Sequence, residues 1–324
     1  MQARYMIITA LLVAAVALVA GCASPTPTAT PATPTPGAAS QYPMTVSDYF
    51  GRNATIAHEP QRIISLSAAN TEMLFDLGVG AKIVGDDDYS DFPAAAKNIT
   101  HVSGFSTVNY ELISSVSPDL IVAEDMVGEE AVTKLRDMGF PVVELKNSNL
   151  SMIRSNIALL GQITNTPANA TALIARIDSG IAGIAAKTAG LNDSQKPSVL
   201  LLTGFIVASP QIYPYGSGTY GDELLTLAGG RNAAANISLY AVMSNEAIVQ
   251  ADPDYIVIPV DGVMCTMDDY NYFKNGTAPW MQSLSAVKNG KVVMVDGNLF
   301  LRPGPRSPDA GLALARAIHP ELFQ

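Results

Sequence analysis

Glu111-Leu-Ile-Ser-Ser-Val-Ser-Pro118-Asp119-Leu-Ile-Val122 returns, spacing intact, as Glu246-Ala-Ile-Val-Gln-Ala-Asp-Pro253-Asp254-Tyr-Ile-Val257. In each copy a glutamate opens a short helical stretch, an apolar turn follows, and a Pro-Asp stop leads into an apolar, β-branched strand. The unit is helix, turn, buried strand, used twice, so the chain is expected to hold two similar lobes with Glu111 and Glu246 at matching points. A carboxylate in the first turn stabilises a helix by roughly 0.3–1 kcal/mol, and Asn109 and Ser244 or Asn245 are suitable N-caps. That local role explains either glutamate alone. Their equal offset from Pro-Asp adds a second reading, as paired acidic knobs on one face, gripped by a partner with two equivalent cationic sockets.

Outward from the first copy, Arg62-Ile-Ile-Ser-Leu-Ser67 reads as a buried strand and Asn70 to Gly78 as a capped helix closing on glycine. Further strands are expected at Ile83 to Gly85, Leu120 to Ala123 and Val142 to Leu145, which makes residues 42–150 an N-terminal α/β lobe on a parallel sheet. Residues 151–191 show only helical periodicity, with Pro167 starting a stretch long enough, at about 30 Å or more, to join two lobes. The C-terminal α/β lobe, 192–324, is expected to contain strands at Ser198 to Leu202, Tyr255 to Pro259 and Val292 to Val295 and helices at Asp222 to Ala228 and Asp309 to Ile318. Thr203 to Gly221 reads as a Gly/Tyr-rich loop. In open parallel sheets ligands sit beyond the carboxyl ends of the strands. The loops after Leu66, Gly85, Ala123, Leu202, Val260 and Asp296 should therefore face a cleft.

The first 21 residues have a positive start at Arg4 and an apolar run too short to span, and read as an export signal. Leu18-Val19-Ala20-Gly21-Cys22 resembles a lipobox, making Cys22 the expected lipidated N-terminus and membrane anchor. Residues 22–41 are a Pro/Thr-rich stalk, which in polyproline form would hold the folded part up to roughly 50 Å from the membrane. Sequons at Asn53, Asn98, Asn149, Asn169, Asn192, Asn236 and Asn275 suit an exported chain.

At 324 residues with a net charge of −10 and no run of Lys or Arg, the chain does not suit nucleic-acid binding. Cys265 is the only cysteine besides Cys22, so no internal disulfide is expected in the mature domain, and Cys265 reads as a buried filler. His58, His101 and His319 are scattered, and Asp86-Asp87-Asp88 reads as a solvated turn, which disfavours a bare-metal carrier. No nucleophile elbow or phosphate-binding lysine loop is present, and Gly216 to Gly221 is expected to shape the cleft rather than hold a nucleotide. An enzyme is therefore not expected, and no cofactor.

Arg62 to Gly78, Asp88-Tyr-Ser-Asp-Phe-Pro93, Val102-Ser-Gly-Phe105 and the Pro-Asp-Leu-Ile-Val strand together resemble the class III substrate-binding proteins of ABC importers, carriers of cobalamin, ferric siderophores and haem. The similarity covers about Pro60 to Phe323. It implies two Rossmann-like lobes with parallel sheets, a single long connecting helix and a ligand cleft between the lobes. It implies a monomeric, lipid-anchored protein on the outer face of the cell membrane, with an ABC permease dimer and its ATPase subunits as partners. By motif position Glu111 and Glu246 would dock onto arginines of the two permease subunits. Local alignment implies ligand contacts from Tyr89, Phe105, Tyr213 and Tyr240, and from Asn298, Phe300 and Arg302 in the last cleft loop. Glu124 departs from the pattern, standing where a cobalamin-binding relative has tryptophan. Anionic siderophores call for several cleft arginines, and only Arg302 and Arg306 are placed for that role. A corrinoid ligand is accordingly expected slightly ahead of a ferric siderophore, with haem or another iron complex as the alternative.

Overall fold

The structure, a computed structural model, describes residues 41–104, 107–206 and 209–323. The signal segment, Cys22 and the stalk lie outside the described residues, as does Phe105. The N-terminal lobe runs β1 (Met44–Ser47), β2 (Asn53–Ile56), β3 (Ile63–Ser65), α1 (Ala68–Asp76), β4 (Ile83–Asp87), β5 (His101–Ser103), α2 (Tyr110–Ser115), β6 (Leu120–Glu124), α3 (Glu129–Asp137) and β7 (Val142–Leu145). Two helices follow, α4 (Leu150–Ile163) and α5 (Pro167–Thr188). The C-terminal lobe runs β8 (Ser198–Ile206), β9 (Ser209–Pro214), α6 (Tyr220–Leu227), β10 (Arg231–Asn232), α7 (Asn245–Ala251), β11 (Tyr255–Val260), α8 (Met267–Lys274), α9 (Ser285–Lys288), β12 (Val292–Asp296), α10 (Gly297–Phe300) and α11 (Ser307–Ile318).

The first sheet is parallel in the order β5-β4-β3-β6-β7. The chain steps from β3 to β4 and β5 on one side, then returns to place β6 and β7 on the other. The carboxyl ends of β3 and β6 thus flank a topological switch point, where open sheets leave a crevice. The second sheet has the order β10-β8-β11-β12, again parallel, and switches between β8 and β11.

The repeat that opens the two halves has a physical basis. Both helices of the repeat stop on a residue with left-handed backbone directly before proline, Ser117 at φ 44° and Asp252 at φ 37°. The aspartate after each proline then clamps the first strand of its own lobe's parallel sheet. The Asp119 carboxylate accepts from the backbone N–H of Gln61 and Arg62 at 2.8 and 2.9 Å, ahead of β3, and Asp254 accepts from the N–H of Ser198 at 2.7 Å, at the start of β8.

α5 is 22 residues long, about 33 Å. Near its start Asn169 donates to the Leu77 carbonyl at 2.8 Å and Arg176 pairs with Asp76 at 2.5 Å, both in the N-terminal lobe. At its end Thr188 donates to the Leu227 carbonyl at 3.0 Å and Lys187 to that of Leu322 at 2.9 Å, in the C-terminal lobe. One apolar core runs through this helix into both lobes, joining Ile63 and Leu120 to Leu173 and Ile177 and on to Leu201, Val257 and Leu314. Each sheet's other face has its own core, around Ile64, Ile121 and Leu135 in the first lobe and Leu200, Ile256 and Phe273 in the second.

Three expectations are corrected. Thr203 to Gly221 is not simply a loop, because β8 runs on to Ile206 and β9 pairs back on it antiparallel. Pro210 and Pro214 disguise β9, and they are tolerated because it is an edge strand. Gly216 to Gly221 does not line the cleft. Gly216 is pressed against the carbonyls of Ile237 and Leu239, and Thr219 caps α6. Asp86-Asp87-Asp88 is not a solvated turn, since Asp86 and Asp87 are buried at the end of β4 and only Asp88 is exposed.

Candidate functional site: the cleft between the lobes

The loops beyond the carboxyl ends of both sheets meet around a cavity of about 150 Å³. Its N-terminal wall comes from Ser67 to Ala69 after β3, Asp87 and Tyr89 at the end of β4, and Glu124, Met126 and Val127 at the end of β6. Its C-terminal wall comes from Asp261, Val263 and Met264 after β11, and Asn298, Leu301 and Arg302 after β12. In the first sheet these include the loops after β3 and β6 that flank its switch point, whereas in the second they follow β11, which borders its switch point, and β12, one strand beyond it.

Glu124 sits at the head of a polar chain. The Ser67 hydroxyl donates to one of its carboxylate oxygens and the Asn147 amide to the other at 3.2 Å. Asn147 is buried and is itself held, donating to Asn70 at 3.1 Å and accepting from Asn156 at 2.8 Å. Burial pushes the Glu124 carboxyl up to about 7 against these hydrogen bonds, with Asp125 and Asp87 adding to the rise. It is therefore poised between charged and neutral near neutral pH. Asp87 is also raised by burial and donates no bond when ionised; it accepts from Ser90 at 2.5 Å. Across the cleft, Asp261 accepts from the N–H groups of Val263, Met264 and Cys265 at 2.8–3.1 Å, which fixes the Val263-Met264 turn toward the cavity.

At one end the two walls are tied by arginines. Arg302 pairs with Asp91, whose carboxyl is lowered overall, the Arg302 contact outweighing burial. Arg306 makes a bidentate bond to Glu72, Nε to Oε2 at 2.8 Å and Nη2 to Oε1 at 2.5 Å, with the Phe92 ring 4.2 Å from its guanidinium carbon. Arg306 is thus fully engaged between the lobes, and the anion-binding role open to it in the sequence is taken by Glu72.

Of the expected ligand contacts, Tyr89, Asn298 and Arg302 line the cavity. Asn298 is fixed there by Asp296, which accepts from its backbone N–H at 3.0 Å and its side-chain amide at 3.2 Å. Tyr240 is 45% exposed, stacked edge-on against Tyr215 at 5.9 Å. Burial, then the charges of Asp125 and Glu124, raise its pKa, but it is not among the residues lining the cavity. Tyr213 sits on β9, its hydroxyl donating to Gln211 at 2.5 Å, and is not among the cavity's residues. Phe300 is a correction. Its side chain is 0% exposed in the core shared by the lobes, because α10 turns inward and its carbonyl accepts from the Tyr215 hydroxyl at 2.9 Å. Met126, Val127, Val263 and Met264 were missed; unbranched and β-branched apolar residues in a loop carry no sequence signal beyond the loop's position. Cys265 is buried, as expected, and burial pushes its thiol up to about 12.

Glu111 and Glu246 occupy matching places. Both are exposed in the first turn of their helices, behind N-caps in which Asn109 accepts from the Leu112 N–H at 3.0 Å and Ser244 from the Ala247 N–H at 3.2 Å. Each helix runs antiparallel to the strand it feeds, so each glutamate lies toward the carboxyl edge of its own sheet.

The periplasmic binding protein family model matches residues 63–299, which takes in both five-stranded sheets and all of the cavity's lining except Leu301 and Arg302. The chain belongs to that family. The ABC transporter substrate-binding lipoprotein YvrC of Bacillus subtilis, itself uncharacterised, is 31% identical over 332 residues, covering 100% of both chains. A cobalamin-binding protein of Halobacterium salinarum is 28% identical over 287 residues, covering 87% of this chain and 75% of that one. Among solved structures, a periplasmic haem-binding protein from Pseudomonas aeruginosa superposes with a TM-score of 0.72 at 28% identity, covering 81% of this chain and 93% of its own.

Proposed function

We propose that this protein is the extracytoplasmic capture component of an ABC importer, that its cargo is a corrinoid held between the two lobes, and that Cys22 anchors it to the outer face of the cell membrane. The observation that carries the proposal is the cleft between the carboxyl ends of two like sheets, with walls that can take a flat ligand. Met126 and Val127 on one side and Val263 and Met264 on the other offer apolar surface whose thioethers adapt to an irregular outline. Tyr89 adds aromatic area at low rotamer cost.

The cavity is smaller than the roughly 300–1,000 Å³ of most small-molecule sites. A macrocycle therefore enters by a parting of these walls. The core that runs through α5 and the two arginine ties keep that movement small. Glu111 and Glu246, one per lobe, are proposed to meet the two permease subunits. A haem or other iron complex is the second reading, supported by the likeness to the haem-binding structure. Against it stands the shortage of uncommitted cationic side chains in the cleft for anionic ligands.

Calorimetric titration of residues 41–324 with cobalamin, cobinamide, haemin and several ferric chelates tests the cargo. Trp280 packs against Phe273 in the second lobe's own core and is a poor reporter of the cleft. We expect one corrinoid to bind at 1:1 with a Kd of about 1 μM or tighter, near −8 kcal/mol. At a hundredfold excess over Kd the ligand adds about 2.7 kcal/mol to the folded state, a clear rise in Tm. Flat heats and an unchanged Tm with every corrinoid would reject the cargo.

A further inference from the structure

The cleft's charges differ in what they leave free. Arg302, the one basic residue among the described residues lining it, is held by Asp91, whereas Asp87, Glu124 and Asp261 are acidic residues of the lining. Asp261 is used by its own turn and Asp87 is tied to Ser90. Glu124 is different. Both its oxygens are gripped from behind, by Ser67 and by an asparagine chain anchored in the N-terminal lobe, and its side chain lines the cavity. A carboxylate oxygen accepts more than one hydrogen bond, so a Glu124 positioned by one bond per oxygen retains acceptor capacity for a ligand. This capacity suits N–H donors on the rim of a macrocycle. Where Glu124 is ionised, a ligand carboxylate would instead meet like charge in a partly dry site, and unpaired like charges are a strong means of rejection.

We propose that Glu124 is a specificity-determining residue that accepts hydrogen bonds from amide side chains on the ligand's rim and excludes ligands bearing carboxylates at that position. The inference rests on the cleft as the ligand site, and it narrows the cargo to amide-rich macrocycles rather than acidic ones. Asp125, whose charge acts on Glu124, and Lys146, which pairs with Asp125 at 3.1 Å, set the surroundings in which the choice is made.

The test holds the macrocycle constant and changes only its rim. At pH 8, calorimetry compares cobinamide with the heptacarboxylic cobyrinic acid, and haemin with its dipropionamide, on the full folded part and on Glu124→Gln. The expected result is at least a 10-fold preference for the amide form of whichever macrocycle binds, reduced at least 5-fold in Glu124→Gln through tighter binding of the carboxylate form. An unchanged Tm and circular dichroism spectrum establish that the variant is folded. Ser67→Ala, which frees one oxygen of Glu124 without removing the charge, should keep the preference within about 3-fold. Equal affinity for the two forms, or the same preference in Glu124→Gln, overturns the assignment while leaving the corrinoid reading intact. Binding of the porphyrin pair alone, with the preference present, overturns the corrinoid reading and leaves the assignment standing. No binding of any of the four overturns both.

Discussion

Replacing Glu111 and Glu246 together by lysine abolishes cargo uptake and leaves cargo capture intact. Each glutamate is exposed, and one exposed ion pair contributes on the order of 1 kcal/mol or less. Removal of one charge should therefore lower uptake only several-fold. Reversal is a different perturbation, because two attractive contacts become two like-charge contacts costing several kcal/mol in all. Uptake of labelled cargo by whole cells should fall at least about 100-fold, while the Kd measured on the isolated protein stays within about 2-fold. Loss of the favourable first-turn charge costs each helix about 0.3–1 kcal/mol, so a small fall in Tm is expected as well. Intact uptake in the double variant would leave the glutamates with no role beyond starting α2 and α7.

The second large effect is in the tie between the lobes. Glu72 is 2% exposed on α1 and Arg306 reaches it from the segment ahead of α11. Burial keeps the Glu72 carboxyl above its usual range despite the Arg306 guanidinium, which does not deprotonate and grips both carboxylate oxygens. Deleting one partner leaves an uncompensated buried charge, at a cost of about 3–5 kcal/mol. For a folded part of this size that corresponds to a fall in Tm of roughly 5–8 °C. Glu72→Ala and Arg306→Ala should each show it, measured by scanning calorimetry. The pair itself is not the source of that large number. Replacing both partners, as in Glu72→Met with Arg306→Leu, should recover most of the loss, because an apolar pair of similar volume avoids burying charge. A double variant as unstable as the sum of the singles would contradict this account of the tie.

Much of the fold was legible in the sequence because its signals are local. The strands at Ile63, Leu120, Val142, Val199 and Val257 are runs of β-branched or leucine residues buried on both faces, and Pro167 at the start of α5 marks a 22-residue helix. The repeat was legible for a reason only coordinates supply: an aspartate after each proline clamps the neighbouring strand, so the motif carries a contact as well as a helix end. β1 and β2 escaped notice because each mixes exposed and buried positions over four residues and carries no continuous apolar run such as marks β3 and β7. The site was legible by loop and less so by residue. Asn298, Tyr89 and Arg302 lie in cleft loops and do line the cavity, whereas Phe300, two residues from Asn298, turns into the core on a single helical turn. No pattern in the sequence distinguishes those outcomes. Nor could it show that Arg306 is committed to Glu72, a residue 234 positions away.

The central claim is that cargo lies between the lobes. Crystals of residues 41–324 grown with the tightest-binding corrinoid, measured at the cobalt absorption edge, test it most directly. The account predicts one strong anomalous peak in the cleft, between the Glu124 to Val127 wall and the wall formed by Val263, Met264 and Asn298. A cobalt peak on any other surface, with the cleft closed and empty, would contradict it.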